Sequence, residues 1–434
     1  MHEELPVDAE HVEQADIGPA DRRQLLRAQL ISREHGIALG GKAAPQLGVA
    51  IELEEQLLDG VEAHEPNASR SDAGWGAAIW RPGETQVRVF GEQGGSMIEI
   101  GIFDHVDRGA GTLAELYEDR LNLVEAYDRL GFRTYHLAEH HATPLGMAPS
   151  PSVFLAAVAQ RTRRLRFGPL VYTLALHHPL RVIEEICMLD QISGGRLELG
   201  IGRGISPHEV GYYGVDPAKA QAIYVEAFAV IRQGLASPSL SFSGEFFRFD
   251  DVPMEMQPVQ RPHPPLWYGL ARPEGLPWVV ANRVNIVCNG PPALVRQVTE
   301  GYRRDWAAAG LDAAALPLMG MTRTVVIAES AEEALATARR AHRRWHHSFF
   351  TLWEKHGTRP INAFYPESFD EAQQRGFGIA GTSAMVRDAL QRQLDEARTN
   401  YLVCRFAFGD MTRAEALRSA ELFARQVMPE LSAA

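Results

Sequence analysis

The sequence is poor in cysteine and has no long apolar stretch, and each absence excludes a class of protein. The 434 residues include only three cysteines, which stand far apart at Cys187, Cys288 and Cys404 in apolar surroundings. This spacing argues against a disulfide-stabilised scaffold and against a zinc site, and it predicts reduced, buried thiols in a cytoplasmic protein. No apolar run reaches about 18 residues, so we expect no transmembrane helix.

A basic surface is missing as well. The formal net charge is −12, and residues 1–96 alone hold 17 acidic and 8 basic side chains, so most of the acidic excess belongs to that region. The remainder is nearly neutral, and neither part has the basic face that nucleic-acid binding requires. The first residues, MHEELPVDAEHVEQ, are acidic and have no apolar core, which is unlike a secretory signal.

The sequence pattern changes at Met97. The preceding segment GEQGGS has the composition of a flexible linker, and Met97 opens the apolar segment MIEIGIF. We therefore predict two regions. Residues 1–96 form an N-terminal extension that is either loosely ordered or the product of an upstream start-site assignment, and residues 97–434 form the folded domain.

From Met97 onward, apolar β-branched segments alternate with helical segments. The predicted strands span residues 98–103, 132–141, 165–174, 196–202, 264–270, 284–288, 322–328 and 401–408. Strands of this kind are typical of parallel sheets covered on both faces. Eight strand–helix units predict an α/β fold of the (β/α)8 TIM-barrel type, and a doubly wound sheet is the alternative.

The stretch from residue 330 to residue 380 is longer than one strand-to-strand connection needs, which predicts an insertion late in the barrel. Residues 341–370 are rich in aromatic side chains, and these fit either an apolar lid or ordinary helix packing. The aromatic residues concerned are Trp345, Phe349, Phe350 and Trp353.

Polar side chains follow three of the predicted strands. In a TIM barrel the carboxyl ends of all strands meet at one face, so we expect these side chains to gather there. Consecutive strand residues face opposite ways, which disfavours a metal held by three neighbours, and no metal is predicted. The residues are Asp104 and His105 after the first strand, Glu139, His140 and His141 after the second, and Arg203 after the fourth.

Proton transfer and a purely structural role are both open for His140, since histidine suits either. Arg203 lies in the glycine turn GIGRG, which would let backbone amides and a cation approach a phosphate. An ordinary ion pair is the alternative for Arg203. His177, by contrast, is interpreted as a surface or capping residue.

Four motifs together resemble the bacterial luciferase family of flavin-dependent monooxygenases. They are EHH at 139–141, HPLR at 178–181, LDQISGGR at 189–196 and GIGRG at 200–204. The resemblance covers Met97 to about Leu431. It implies a TIM barrel with an insertion, commonly a homodimer. Such a protein uses O2 and reduced FMN, supplied by a separate flavin reductase, to oxidise a small organic substrate.

The resemblance also implies roles for individual residues. It places His140 near the flavin as a base, with Glu139 orienting it. It matches Leu170–Val171 to a non-proline cis peptide beneath the flavin ring, and Arg203 to an arginine that meets the FMN phosphate.

Around these residues we expect Asp104, His105 and His141 to line the substrate pocket. The family usually has phosphate-binding hydroxyl residues after the fifth strand. Here Ala271 and Arg272 stand there instead, so their amides and the Arg272 guanidinium become the candidates for that contact.

Gly202 stands where the luciferases have a reactive cysteine, which argues against light production from a long aldehyde. Two further functions remain open on the same barrel. One is a deazaflavin-dependent dehydrogenase, which oxygen consumption with reduced FMN would distinguish. The other is a flavin-binding protein without turnover, against which the EHH and GIGRG motifs argue.

Overall fold

Parallel strands and helices alternate along the chain. The computed structural model describes residues 98–360 and 365–433, so the predicted extension 1–96 lies outside the described residues. The strands in chain order are β1 (Glu99–Asp104), β2 (Thr134–Leu137), β3 (Arg166–Pro169), β4 (Tyr172–Thr173), β5 (Leu199–Gly202), β6 (Ser239–Ser243), β7 (Arg248–Pro253), β8 (Leu266–Gly269), β9 (Asn285–Cys288), β10 (Met319–Ile327), β11 (Gly378–Gly381) and β12 (Tyr401–Arg405).

The α-helices connect these strands and cover the outside of the sheet. In chain order they are α1 (Leu113–Leu130), α2 (Pro151–Arg161), α3 (Pro179–Ser193), α4 (Pro207–Tyr212), α5 (Ala220–Ala236), α6 (Leu276–Ala281), α7 (Pro292–Ala308), α8 (Ala331–Lys355), α9 (Phe369–Gln374), α10 (Ser383–Ala397) and α11 (Arg413–Gln426).

The main sheet has the strand order β3-β2-β1-β12-β10-β9-β8-β5-β4, and every pair in it is parallel. Strands β3 and β4 are two halves of one strand, interrupted at residues 170 and 171. An isolated parallel bridge between Phe167 and Leu197 joins this strand to the segment before β5 and nearly closes the ring. The eight predicted strands and the TIM-barrel fold are therefore confirmed.

Two features of the sheet were not predicted. An antiparallel hairpin of β6 and β7 follows α5, and β11 pairs with the last four residues of β10. The hairpin is largely solvent-exposed and lacks a continuous apolar run, so the strand pattern misses it. The predicted insertion is confirmed, because the 25-residue helix α8, the short helix α9 and β11 all lie between β10 and β12.

Local signals at the helix starts agree with the sequence. Thr112 and Glu115 form the predicted capping box at the start of α1, where the Thr112 hydroxyl accepts from the Glu115 amide at 3.2 Å. Ser150 and Pro151 occupy the N-cap and first position of α2. Each helix thus begins where its cap residue directs the chain out of the preceding loop.

Alternation along each strand decides which side chains face the barrel interior. In β12, Tyr401 and Val403 pack inside the barrel with Trp267, whereas Leu402 and Cys404 face the helices. The same alternation turns Phe103 of β1 inward. At the carboxyl ends of the strands, which we call the mouth, the inward positions form the candidate site.

The opposite end of the barrel, the floor, is built around Glu198. The Trp267 indole donates to the Glu198 carboxylate at 2.5 Å, the Arg133 guanidinium donates at 3.1 Å, and Arg166 donates as well. Burial alone would raise the pKa of Glu198, but Arg166 and Arg133 outweigh it and hold that pKa below its ordinary value. The ionised Glu198 carboxylate thereby joins the start of β5 to residues at the starts of β2, β3 and β8.

Two other expectations concerned buried, free cysteines and the absence of a transmembrane helix. Cys187, Cys288 and Cys404 are all buried and free, as predicted. Within residues 98–360 and 365–433, no helix combines the length and apolar character needed to cross a membrane.

At the seam, where β3 meets β5, the two backbones lie so close together that a substitution can test the contact. A Cβ atom at Gly200 would lie 2.0 Å from the Pro169 carbonyl oxygen, whereas one at Gly269 would meet nothing within 4 Å. We expect Gly200→Ala to lower the free energy of unfolding by about 3 kcal/mol or more, because backbone must move. Gly269→Ala is the matched control and should change stability little. Equal denaturation midpoints for the two variants would contradict this account.

Candidate active site

His140 follows β2 and lies at the mouth of the barrel. Its Nδ1 atom is 3.2 Å from Glu209 Oε1, and Glu209 Oε2 accepts a hydrogen bond from the backbone amide of His141 at 2.8 Å. Glu209 therefore fixes both the imidazole ring and the backbone beside it. Among the described residues, the other ring nitrogen of His140, Nε2, has no hydrogen-bond partner.

Glu209 was not predicted from the sequence, although a local signal for it exists. It is the third residue of α4, and its backbone amide donates to the hydroxyl of the N-cap residue Ser206 at 3.3 Å. The sequence Ser206-Pro-His-Glu209 therefore has the spacing of a capping box directly after the GIGRG turn. In the fold, however, the Glu209 carboxylate turns to the end of β2, a contact 69 residues distant in sequence.

Glu139 has different partners from those the sequence suggested. Its Oε1 atom accepts from Nε2 of His141 and from Nε2 of His177, both at 2.8 Å, and its Oε2 accepts from the Thr173 amide at 3.0 Å. Burial raises the pKa of Glu139, but these hydrogen bonds outweigh burial and hold the pKa below its ordinary value. The Glu139 carboxylate therefore fastens the end of β2 to the end of β4 and does not contact His140.

His141 and His177 are both held by Glu139. The Nδ1 atom of His141 lies 2.8 Å from the Tyr213 hydroxyl, so both of its ring nitrogens are engaged. His177 is half-buried, and although burial lowers its pKa, the hydrogen bond to Glu139 raises it above the ordinary value. The interpretation of His177 as a capping residue is confirmed, because its backbone amide caps the short 3-10 helix Leu174–Leu176, but its contact with Glu139, 38 residues earlier in the chain, was not predicted.

His105 packs directly against the catalytic candidate. The rings of His105 and His140 are stacked with centroids 5.6 Å apart, and Phe103 meets His105 edge-on at 4.8 Å. Burial, followed by the charge of Arg405, lowers the pKa of His105 well below its ordinary value, so this ring is neutral. Its Nδ1 atom is buried and has no hydrogen-bond partner among the described residues.

Asp104 points away from the mouth. Its carboxylate accepts from the Val106 amide at 2.7 Å and from the Tyr135 hydroxyl at 3.0 Å, and it lies 3.4 Å from Arg120. This follows from alternation, since Phe103 and His105 on either side of it face inward. The structure therefore uses Asp104 to join β1 to α1.

A shallow pocket opens beside His140, and the insertion forms its outer wall. Side chains from the β2 loop, the β5 loop and α8 enclose it, and most of them are apolar. The lining residues are His140, Thr143, Leu145, Ile205, Ser206, Glu209, Phe349, Leu352 and Trp353. Of the aromatic residues predicted as either lid or packing, Phe349 and Trp353 line this pocket, Trp345 contacts His105, and Phe350 packs against Phe349.

The residues matched to flavin contacts surround the turn after β5. The Leu170–Val171 peptide bond is cis, as the resemblance implies. A Cβ atom at Gly202 would lie 2.6 Å from the Val171 Cγ2 atom. Gly204 has a φ of 87°, and a Cβ atom there would lie 2.6 Å from the Thr173 Cγ2 atom. Only glycine can pack this closely against Val171 and Thr173, so the turn after β5 lies directly against the β3–β4 strand.

Two exposed arginines emerge beside this turn. Arg203 follows β5 and Arg272 follows β8, and these strands are neighbours in the barrel. Among the described residues, neither guanidinium forms a hydrogen bond or an ion pair, and Ala271 beside Arg272 is exposed. Two cations beside a glycine turn fit a phosphate group. Residues 98–360 and 365–433 contain no group of three His, Cys, Asp or Glu side chains placed to hold a metal ion.

Comparison with known proteins assigns the chain to a family. Residues 98–402 match the family model described as luciferase-like monooxygenase, so the chain belongs to that family. Its members are flavin-dependent oxidoreductases, and this protein is one of them.

Individual relatives agree with this assignment. The chain is 44% identical over 333 residues to the uncharacterised protein y4wF of Sinorhizobium fredii, covering 77% of this chain and 97% of that one. It is 30% identical over 193 residues to the oxygenase component of the flavin-dependent trigonelline monooxygenase of Acinetobacter baylyi, covering 44% and 53%. The crystal structure of the monooxygenase RslO1 from Streptomyces bottropensis superposes with a TM-score of 0.69 at 26% identity, covering 76% and 99%.

The bonding of Glu139 predicts a pH-dependent stability. Its pKa is depressed in the folded state, so the stabilisation is present above the unfolded pKa of about 4.3 and is lost as pH falls through the folded value. At pH 7, Glu139→Gln should lower the free energy of unfolding by about 2–3 kcal/mol, because charge-assisted hydrogen bonds are lost.

The measurement is denaturant unfolding of wild type and variant from neutral to acidic pH. We expect the difference between them to shrink on acidification. Glu184→Gln is the matched control, because Glu184 forms an exposed pair with Arg181 on α3 and should matter little at any pH. A difference that is constant with pH would show that the carboxylate charge of Glu139 contributes nothing.

Proposed function

We propose that the protein is an FMN-dependent monooxygenase that uses O2 to oxidise a small organic substrate. The observation that carries this proposal is the position of His140. Its Nε2 atom has no hydrogen-bond partner among the described residues, its Nδ1 atom is held by Glu209 at 3.2 Å, and apolar side chains of α8 lie beside it. Such a group can move a proton in a site from which bulk water is largely excluded.

The Glu209 carboxylate sets the tautomer that His140 needs for proton transfer. A carboxylate at Nδ1 favours the tautomer in which Nδ1 carries the proton and donates it to Glu209. In the neutral ring Nε2 is then an acceptor, and after protonation it becomes a donor to the substrate or to the oxygen being reduced. His105 stays neutral beside it, so it adds no competing charge.

The cofactor surface is proposed next to this pocket, at the turn after β5 and the loop after β8. Arg203 and Arg272 would bind the phosphate of FMN, with the Ala271 amide nearby, and Leu170–Val171, against which Gly202 packs, would support the ring. When bound in its reduced form, FMN supplies the electrons for oxygen activation. The two arginines are exposed, which suits a flavin that arrives from a separate reductase and leaves again.

Support for a reductase partner and for a dimer comes from different sources. The trigonelline relative is itself described as an oxygenase component, which is consistent with a separate source of reduced flavin. The neighbouring helices α2 and α3 carry exposed apolar side chains, namely Val153 at 73%, Met188 at 52% and Ile192 at 46% exposure. We propose that these two helices are covered in a homodimer, because burial of exposed apolar side chains favours association.

We further propose that residues 97–434 are the catalytic domain of a cytoplasmic enzyme and that residues 1–96 are an extension to it. The family match begins at residue 98, which supports this boundary. The three free, buried cysteines support a reducing compartment.

Arg203 provides the first test. If it binds the FMN phosphate, Arg203→Ala should weaken FMN binding about tenfold to a hundredfold, because a charge-assisted contact contributes about 1.5–3 kcal/mol. The measurement is titration with oxidised FMN and, anaerobically, with reduced FMN. Arg296→Ala removes an exposed arginine on α7 and serves as the control. Unchanged affinity for both forms of FMN would remove Arg203 from the cofactor site.

His140 provides the second test. With reduced FMN and a panel of organic substrates, wild type should consume O2 and form oxygenated product, whereas a deazaflavin-dependent dehydrogenase would not consume O2. His140→Ala should still bind FMN, but its product formation should fall by about 10²–10⁴ and hydrogen peroxide should replace product.

The readouts are O2 consumed, peroxide released and product formed by each protein. Glu209→Gln keeps a hydrogen-bonding group at Nδ1 without the charge, so it should show an intermediate loss with a changed pH profile. A His140→Ala enzyme that turns O2 into product at the wild-type rate would refute the proposed proton transfer.

A further inference from the structure

Arg405 ends β12 with its side chain directed into the barrel mouth. Tyr401 and Val403 on the same side of the strand pack inside the barrel, so alternation carries Arg405 inward one layer above them. In the parallel pairing of β10 with β12, its neighbour is Thr324. The Arg405 guanidinium therefore lies among the side chains around His140. Neither the proton transfer nor the cofactor site proposed above uses it.

The guanidinium has few partners in this position. Its Nε and Nη2 atoms donate to the Thr324 hydroxyl at 3.1 and 2.5 Å, and its central carbon lies 4.4 Å from the centroid of the Trp345 ring. Among the described residues it forms no ion pair with a carboxylate. Burial lowers the pKa of Arg405 to about 10, although Asp107 and Asp104 act in the opposite direction through space.

The two nearest acids are engaged elsewhere. Asp104 is bonded to Tyr135 and the Val106 amide, and Asp107 accepts from the Gly409 amide and from Arg120. Both act on Arg405 through space only. One edge of the Arg405 fork is thus fixed by Thr324, while the Nη1 atom donates to no described residue.

Two further polar groups beside Arg405 lack partners. The Trp345 Nε1 atom and the His105 Nδ1 atom are buried without hydrogen bonds among the described residues, and both side chains are more than nine-tenths buried. The ring centroids of Trp345 and His105 are 6.3 Å apart, and His105 stacks on His140. Buried groups without partners are rare in proteins, and here they lie between Arg405 and His140.

We propose that Arg405 binds the carboxylate of the substrate, so that the enzyme acts on a small organic acid with an apolar body. The fork offers a planar edge to a carboxylate, and Trp345 offers an aromatic wall to the remainder of the molecule. This inference rests on the proposed function, because it places the rest of the substrate toward His140.

A carboxylate fits this position better than a phosphate. A single guanidinium with one open edge matches two carboxylate oxygens, whereas the acids Asp104 and Asp107 nearby oppose a group of higher negative charge. The arginines assigned to the FMN phosphate, Arg203 and Arg272, follow β5 and β8, several strands away from β12 in the ring. The two anionic groups would therefore bind on separate sides of the mouth.

Calorimetric titration of the full-length protein with pairs of small carboxylic acids and their primary amides, starting with benzoate and benzamide, tests this inference. Wild type should bind at least one acid about tenfold or more tightly than its amide, because only the carboxylate forms the charge-assisted pair. Arg405→Gln should abolish that preference. Arg405→Lys should keep part of it, since an ammonium retains the charge without the planar fork.

Two more variants make the test independent of the folding of Arg405→Gln. Thr324→Val keeps the charge but removes the acceptor that orients it, so acid affinity should fall severalfold while amide affinity stays the same. Arg359→Gln is the control, because Arg359 also stacks on an aromatic ring, Phe350 at 5.4 Å, but is exposed. It should change neither affinity.

The inference is overturned if wild type prefers no acid over its amide, or if the preference survives in Arg405→Gln. Weaker FMN binding by Arg405→Gln with an unchanged acid preference would also overturn it, by assigning Arg405 to the cofactor. None of these titrations requires turnover. A failure of the O2-dependent assays with His140 variants would therefore count against the monooxygenase proposal and leave the acid site standing.

Discussion

The ionised carboxylate of Glu198 holds the barrel together where its strand ladder is weakest. Among the described residues, β3 and the segment leading into β5 form one isolated bridge, and Gly168 and Gly200 approach the Glu198 and Pro169 carbonyl oxygens too closely for a side chain. Glu198 crosses this seam by accepting hydrogen bonds from Arg166, Arg133 and the Trp267 indole. A buried charge is tolerated there because each of its oxygens is paired, and the ring keeps its shape without a continuous ladder.

The two ends of the barrel differ in whether their charged side chains have partners of opposite charge. At the floor, a carboxylate is matched by two arginines, and that end is chemically inert. At the mouth, Glu139 and Glu209 hold histidines and loop backbone, while Arg405, Arg203 and Arg272 have no carboxylate partners among the described residues. The mouth therefore has an unmatched positive character on a chain whose net charge is negative, which favours anionic ligands there.

Sequence patterns predicted the strands well and the side-chain partners poorly. The eight barrel strands, the capping box at Thr112 and the late insertion follow from local periodicity and spacing. Glu209 could be recognised as a helix-start residue but not as the partner of His140, since the two lie 69 positions apart and no local pattern signals their contact. The role proposed for Arg405 likewise could not be predicted from the sequence, because it depends on contacts with Thr324 and Trp345 that form only in the folded chain.

The insertion has a consequence for how this enzyme can diverge. Its helix α8 lies between β10 and β12, the same two strands that carry Thr324 and Arg405, and it also supplies Trp345 and the pocket wall. The strands beside the glycine turn, β3 to β8, are connected through other parts of the chain. If FMN binds beside that turn as proposed, exchanging this one segment changes which molecules are accepted and leaves the cofactor-binding side of the barrel as it is.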